Sequence, residues 1–307
     1  MNSIGFPNLG IYFENVSRGF TIFGFQIAFY GLLVGIAILL GFVIAPWDAR
    51  QTGQDPDIYM NMGIVGVVVS IICTRLYYVI FSWENYRHNL LSIFNLREGG
   101  LAVYGGIIGA ALTIVLYSRW KKYNAPQIYD TIALCLLNGQ MIGRWGNFFN
   151  REAFGEYTNN LFAMRLPLEQ VSARHVTPLM IEHIEVIDGI GFIQVHPTFL
   201  YESLWCMALL IGLLIYRKRK RFTGEVFLLY VFGYGLGRFW IEGLRTDPLF
   251  LPFAQLRVSQ MLAGATVLIA GGMIVYFRRR AKAIEVASES NDSDNNDSDN
   301  NNSDNNT

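Results

Sequence analysis

Long apolar runs alternate with short polar connectors along most of the chain. Taking about 20 apolar residues as the length that crosses a bilayer, spans are predicted near 22–45, 58–81, 100–118, 129–149, 198–216, 225–242 and 257–277. The first, third and last are unbroken, whereas Asp130, Arg75, Glu202 and Arg238 place charges inside other spans. Residues 153–196 are too long for a simple connector. There, Ile184-Glu185-Val186-Ile187 and Phe192-Ile193-Gln194-Val195 flank Asp188-Gly189, which predicts a β-hairpin. From Ser288 the chain is Asn, Asp and Ser with Glu289 and a final Thr, too polar to fold alone.

The fold class that follows is an all-α polytopic membrane protein. Seven transmembrane helices carry a small external head domain that contains a short β-hairpin. The organisation expected is an external interfacial segment over 1–21 and helices one to four over 22–152. The head follows over 153–196, helices five to seven over 197–283, and a disordered cytoplasmic tail over 284–307.

Composition supports the membrane reading. Of 307 residues, 52% are hydrophobic and 16% charged, against about 25% charged in a typical soluble domain. The zero net charge hides an asymmetry, because basic residues gather beside particular spans. Arg119-Trp120-Lys121-Lys122, Arg217 to Arg221, and Arg278-Arg279-Arg280 with Lys282 follow odd-numbered spans, while even-numbered spans lead to Arg87 and Arg97, or Arg245. The basic loops are expected in the cytoplasm, with the N-terminus outside and the C-terminus inside. Cys73, Cys135 and Cys206 each lie in an apolar stretch and read as buried hydrophobes. No basic n-region with a small-residue cleavage site opens the chain, so no removable signal peptide is expected. Nothing calls for a cofactor, a metal or a nucleic acid.

Four polar constellations interrupt the apolar pattern. Gly143 to Gly155 reads G-R-W-G-N-F-F-N-R-E-A-F-G, with Arg144, Asn147 and Asn150 near one helical stripe. Gly139, Gly143 and Gly146 would admit another backbone. A guanidinium in hydrocarbon costs about 2.5–3.5 kcal/mol on insertion scales, so such a residue faces the bundle interior or a wet cavity. The bland alternative is a snorkelling arginine at a salt-bridged helix end. The second constellation is Tyr234, Arg238 and Glu242, at i, i+4 and i+8 on one face, with Arg245 and Asp247 beyond. Here the alternative is a local ion pair, but a buried pair alone barely offsets its desolvation.

The third is His196-Pro197-Thr198-Phe199-Leu200-Tyr201-Glu202, in which proline marks a helix start and His196 sits near its N-terminus. The fourth is Gly99-Gly100-Leu101-Ala102-Val103-Tyr104-Gly105-Gly106, whose glycines let helices pack closely and hold Tyr104 toward the interior. Tyr30, and Arg75 with Tyr78, are weaker candidates. Arg75, Tyr104, Arg144, His196, Arg238 and Glu242 all map to the outer half of the bundle, with Tyr30 a turn or two deeper. Agreement in depth reads as one cavity, net positive and open to the external leaflet. Its natural guest is an anion with apolar tails, a phospholipid.

At these residues the chain resembles the prolipoprotein diacylglyceryl transferases of bacteria. The family pattern G-R-x-G-N-F-x-N-x-E-x-x-G is matched at each fixed position by Gly143, Arg144, Gly146, Asn147, Phe148, Asn150, Glu152 and Gly155. H-P-[ST]-x-L-Y-E is matched by His196 through Glu202, and G-Y-G-x-x-R-x-x-x-E by Gly233, Tyr234, Gly235, Arg238 and Glu242. The resemblance runs from about Tyr30 to Arg280. It implies seven transmembrane helices with an external head, in the bacterial cytoplasmic membrane. It also implies transfer of diacylglyceryl from phosphatidylglycerol to the lipobox cysteine thiol of a preprolipoprotein signal peptide, giving a thioether and glycerol phosphate. The family's essential arginines carry over to Arg144 and Arg238, and its important polar residues to Tyr30, Asn147, Glu152, Tyr234 and Glu242. The chain departs from many members at Tyr104, where they have a histidine proposed as base; a phenol is a poor base at neutral pH. Arg151 stands where some relatives have glycine.

The site expected from this reading has Arg144 and Arg238 clamping the phosphate, Glu242 orienting Arg238, and Asn147 on the head group. Glu152, His196 and Tyr104, in that order, are candidates for the base. Tyr30, Asn150, Gly155, Tyr234 and Arg75 complete the substrate-binding set. A transporter for an anionic solute is the rival from another class, although it would often show paired repeats and a midplane site. A non-catalytic lipid-binding module is a third possibility.

Overall fold

The structure, a computed structural model, describes residues 3–95, 99–247, 250–251 and 254–303. Arg97, counted above in an outer loop, lies outside them. The chain is mostly helical. The long helices are α1 (Phe29–Gln51), α2 (Pro56–Phe81), α3 (Val103–Trp120), α4 (Ala125–Asn150), α6 (Thr198–Tyr216), α7 (Glu225–Glu242) and α8 (Val258–Ser303), with a short α5 (Pro178–Glu182) between. Five helical segments are long and apolar enough to cross a membrane: Phe29–Gln51, Pro56–Phe81, Val103–Trp120, Thr198–Arg219 and Val258–Glu285. Leu39, Ile80 and Leu268 on these helices are exposed. Apolar exposure of this extent suits a surface solvated by lipid rather than water.

Strands flank the helices. They are β1 (Ile4–Phe6), β2 (Ile11–Phe13), β3 (Gly19–Ile22), β4 (Phe25–Ala28), β5 (Met164–Pro167), β6 (Glu185–Ile187) and β7 (Ile190–Val195). The first helix begins at Phe29 rather than near 22, because Gly19–Ala28 folds as the β3–β4 hairpin. Its turn residues Phe23 and Gly24 have φ 48° and 81°, the doubly positive pair that suits the twist of a two-residue hairpin.

Contacts divide the chain into two compact units, residues 1–37 with 136–307, and residues 38–135. In the second unit, α2 and α3 approach to backbone distance. A Cβ on Gly105 would stand 2.3 Å from the Cys73 carbonyl oxygen, and one on Gly109 2.9 Å from the Ser70 Cα. That is the small-residue packing face read from the sequence. Ala45, Ala49, Tyr59, Met62 and Ile128 form the core of this unit.

The first unit is built on a five-stranded antiparallel sheet of order β2-β1-β5-β7-β6. Asp188-Gly189 turns the β6–β7 hairpin, with Ile187 opposite Ile190. The N-terminal segment is part of this sheet: β1 pairs with β5, Gly5 opposite Arg165. Ile4, Phe6, Met164, Leu166, Met180, Ile193 and Val195 form one apolar core with Phe148 of α4 and Phe199 of α6. The sheet is thereby fastened to the ends of two helices that carry polar motifs. At the other terminus α8 continues to Ser303 where disorder was expected from 284. Asn, Asp and Ser are poor helix formers, but a helix already nucleated upstream extends at far lower cost than one that must start afresh.

Candidate functional site

Three helices of the first unit meet at one buried carboxylate. Glu202, in the second turn of α6, has Oε1 2.6 Å from Nη2 of Arg144 on α4 and Oε2 3.2 Å from Nη1 of Arg238 on α7. The Tyr234 hydroxyl donates to Glu202 Oε1 at 3.2 Å. Arg238 turns its other nitrogen to Glu242, one helical turn on, at 2.6 Å. Two guanidiniums and two carboxylates balance in charge, which is the condition for holding any of them out of water. Their exposure is unequal: the carboxylates keep 3% of their surface, the Arg144 and Arg238 side chains 22% and 19%. The acids lie behind and the cations in front, so the accessible face of the cluster is positive.

The end of α4 makes the second half of the site. Arg144 Nη1 reaches the Asn147 Oδ1 at 3.5 Å. The chain then leaves the helix through Arg151 and Ala153, both with φ 56°, in the left-handed region that favours glycine. Arg151 is held there by its own side chain, which donates to the carbonyls of Phe149 and Val16. The two left-handed residues bring Glu152 back over the helix end, where its Oε1 accepts from Asn147 Nδ2 at 3.1 Å and Asn150 Nδ2 at 3.0 Å. Both asparagines of the motif therefore orient one carboxylate.

The motif glycines divide by role. A Cβ on Gly146 would fall 2.2 Å from Cδ2 of Tyr30, so the tyrosine ring abuts the helix at this glycine. Gly139 and Gly143 have nothing within 4 Å of a built Cβ; the expected backbone approach is absent at both. Gly155 is a crossing point. It donates to the His196 carbonyl at 2.9 Å, forms a bridge to Arg245, and a Cβ would meet the Leu244 carbonyl oxygen at 2.8 Å. Close packing there leaves no room for a side chain.

His196 sits where that crossing hands over to α6. Its Nδ1 is 3.3 Å from the Tyr201 hydroxyl and 3.4 Å from Asn160 Nδ2. Burial holds the imidazole below the usual histidine range, with the Glu156 carboxylate pulling the other way. At neutral pH it is an uncharged acceptor.

Two sequence candidates lie in the other unit and make contacts different from those expected. Arg75 directs its guanidinium at five loop carbonyls: Ile93, Gly99, Gly100, Ser92 and Asn95, at 2.7 to 3.1 Å. It also lies 5.1 Å over the Tyr86 ring. This arginine fastens the loop after α2, which accounts for its burial without a ligand. Tyr104 is 70% exposed and leans on Tyr77 rather than turning inward.

The sequence marks Glu202 as a charge inside a span and as the end of the third motif, without a role; its place at the centre of the cluster is new. A lone carboxylate in an apolar run needs cationic partners, and two arginines at the same expected depth were the available signal. Ser203 and Trp205 were also unassigned. Trp145 Nε1 donates to Ser203 Oγ, which donates to the Met141 carbonyl, and Trp205 Nε1 donates to the Gly233 carbonyl. These bonds lock α6 between α4 and α7 at the level of the ionic cluster.

Residues 18–276 match the sequence profile of a family described as prolipoprotein diacylglyceryl transferase. A phosphatidylglycerol–prolipoprotein diacylglyceryl transferase of Clostridioides difficile is 40% identical over 265 residues, 86% of this chain and 96% of its own length. One of Listeria welshimeri is 41% identical, covering 82% of this chain and 86% of its own. One of Clostridium novyi is 41% identical, covering 86% and 95%.

Proposed function

We propose how this site works from one fact: the chain belongs to the prolipoprotein diacylglyceryl transferase family. It is a transferase that moves the diacylglyceryl group of phosphatidylglycerol to a prolipoprotein, the first step of lipoprotein maturation. It is a multi-pass membrane protein.

In this reading the phosphate of phosphatidylglycerol sits on the exposed faces of Arg144 and Arg238. The observation that carries it is their convergence on the two oxygens of Glu202, which fixes two planar forks at a spacing that suits one oxyanion. The acceptor is the lipobox cysteine of the signal peptide, attacking as thiolate. Its sulfur bonds to the glyceryl carbon as the carbon–oxygen bond breaks, and the electron pair leaves on the phosphate oxygen. The products are a thioether and glycerol phosphate. Negative charge grows on the phosphate as that bond breaks, so guanidiniums fixed in advance favour the transition state over the bound lipid. Glu242 and Glu202 orient the forks, Tyr234 steadies Glu202, and Tyr30 and Asn147 flank the head group. Glu152, aligned by two amides, and the neutral His196 are the bases to which the thiol proton passes.

Two pairings support seven crossings with an external head. A sheet cannot thread hydrocarbon, so Gly5 and its partner Arg165 share one side of the membrane. The crossings between them must be even, and α1, α2 and α3 make an odd number unless α4 also crosses. Gly155 bridges Arg245, so α6 requires α7 in the same way. The basic ends of α3, α6 and α8 then lie in the cytoplasm, and the sheet and ionic cluster lie toward the outer leaflet. The C-terminal part of α8, from Ile284 onward, lies in the cytoplasm in this reading.

The test uses purified protein, phosphatidylglycerol and a lipobox peptide, read as a gain of one diacylglyceryl group on the peptide. A zwitterionic lipid in its place is expected to give no product. Equal transfer from both lipids, or none from phosphatidylglycerol, rejects the reading.

A further inference from the structure

A groove runs along α6 from one turn beyond Glu202. Trp205, Ala208, Leu209, Gly212 and Leu213 line a cavity of about 220 Å³. They stand at i, i+3, i+4, i+7 and i+8, one helical stripe, and Glu202 begins the same stripe at i−3. The one polar atom these side chains carry, Trp205 Nε1, is bonded to the Gly233 carbonyl at 2.9 Å.

Glycines shape both sides of it. A Cβ on Gly237 would lie 2.3 Å from Trp205 Nε1, and one on Gly233 2.6 Å from Leu209 Cδ2. Trp205 and Leu209 therefore sink against α7 and form a floor. Gly212 has nothing within 4 Å of a built Cβ, and Ala208 is small and exposed, so the mouth stays open. From Glu202 to Leu213 an α-helix rises about 16 Å. That is close to half of the ~30 Å hydrocarbon core, the depth of one leaflet's acyl chains.

We infer that this groove seats one acyl chain of the anionic donor lipid, an inference that rests on the phosphate seat proposed above. The head group and chains of a lipid are covalently joined, so a phosphate held on Arg144 and Arg238 delivers its chains to the start of this stripe. Binding along a remote, unreacting chain fixes the glyceryl carbon for attack. The head group selects the lipid, and the groove limits how its tail is laid.

Trp205 is a built-in reporter. The protein is placed in bilayer discs of zwitterionic lipid doped with phosphatidylglycerol brominated on its acyl chains, or with brominated zwitterionic lipid at the same mole fraction. Subtracting Trp205→Phe isolates the signal of this tryptophan. The expected result is stronger quenching of Trp205 by the anionic lipid, and loss of that difference in Gly212→Leu, whose Cβ meets nothing within 4 Å and whose side chain takes up space in the groove. The same substitution should raise KM for long-chain phosphatidylglycerol about tenfold, the lower end of what a hydrophobic pocket discriminates, while an eight-carbon analogue is unaffected. Equal quenching by both lipids, or a difference that persists in Gly212→Leu, overturns the groove. Transfer is measured on the same discs. Quenching that discriminates without transfer rejects the reaction but keeps the seat, whereas transfer without discrimination rejects only the groove.

Discussion

Nη2 of Arg144 stands 2.6 Å from Oε1 of Glu202, on a different helix and 22% exposed where its partner keeps 3%. The contact draws the guanidinium to a fixed point while leaving an edge open. Arg144→Lys or Arg238→Lys keeps the charge and loses the planar fork. Each is expected to lower kcat about 10²-fold or more, the effect of losing one aimed donor at a developing oxyanion. Near-normal turnover in either lysine variant would remove the clamp.

Glu202 should matter through both arginines at once. Glu202→Ala leaves two partly buried cations without their shared counter-charge, and breaking a buried pair costs about 3–5 kcal/mol; thermal unfolding in detergent should show it. Glu202→Gln keeps the shape, and its expected signature is a fall in kcat with a smaller change in KM for phosphatidylglycerol. A variant that loses stability but not kcat would make Glu202 a brace alone.

Gly146 and Tyr30 form a pair that can be tested against itself. Gly146→Ala drives a methyl into the tyrosine ring, an overpacking that costs about 1–3 kcal/mol. Tyr30→Ala vacates the same space, so the double variant should be less destabilised than the sum of the singles. Additive losses would mean that the ring moves away freely.

Stability should depend on pH through His196. Its folded pKa is lowered by burial, so between the folded and unfolded values the unfolded chain binds more protons. Stability is then full above the ordinary histidine value of about 6.5 and falls as pH drops toward the folded one. His196→Gln removes that dependence. The gap in Tm between the two proteins should shift against the native one from about pH 7.5 to about 5.5, the window in which histidine changes charge; a constant gap would refute it.

Arg75 should act on a loop. Arg75→Lys cannot supply a five-donor fork, so residues 89–95 should exchange amide hydrogens faster and become open to protease, with α2 and α3 unaffected. Unchanged protection would show that the five carbonyl contacts do not hold this segment.

Much of the helical scaffold and most of the polar candidates were legible in the sequence. The two long helices that fail as apolar spans, α4 and α7, carry Asp130 and Arg144, and Arg238 with Glu242. Of the residues that lower their hydropathy, Arg144, Arg238 and Glu242 are ones the motifs single out, while Asp130 lies outside them. Glu202 escaped assignment because its partners come from two other helices, and pairing between distant segments leaves no local pattern. The loop carbonyls that Arg75 meets were not legible, because backbone acceptors have no sequence signature. Strands β1 and β2 span three residues each, too short for alternation to register.

The pairing of β1 with β5 also sets a timetable. Ile4–Phe6 leaves the ribosome well before its partner Met164–Pro167, which follows only after four long helices. The strand cannot complete its ladder until then, and closing so distant a contact is slow. Meanwhile the apolar faces of Ile4 and Phe6 have no core to enter. The five-stranded sheet is thus completed late, from two segments made far apart in time.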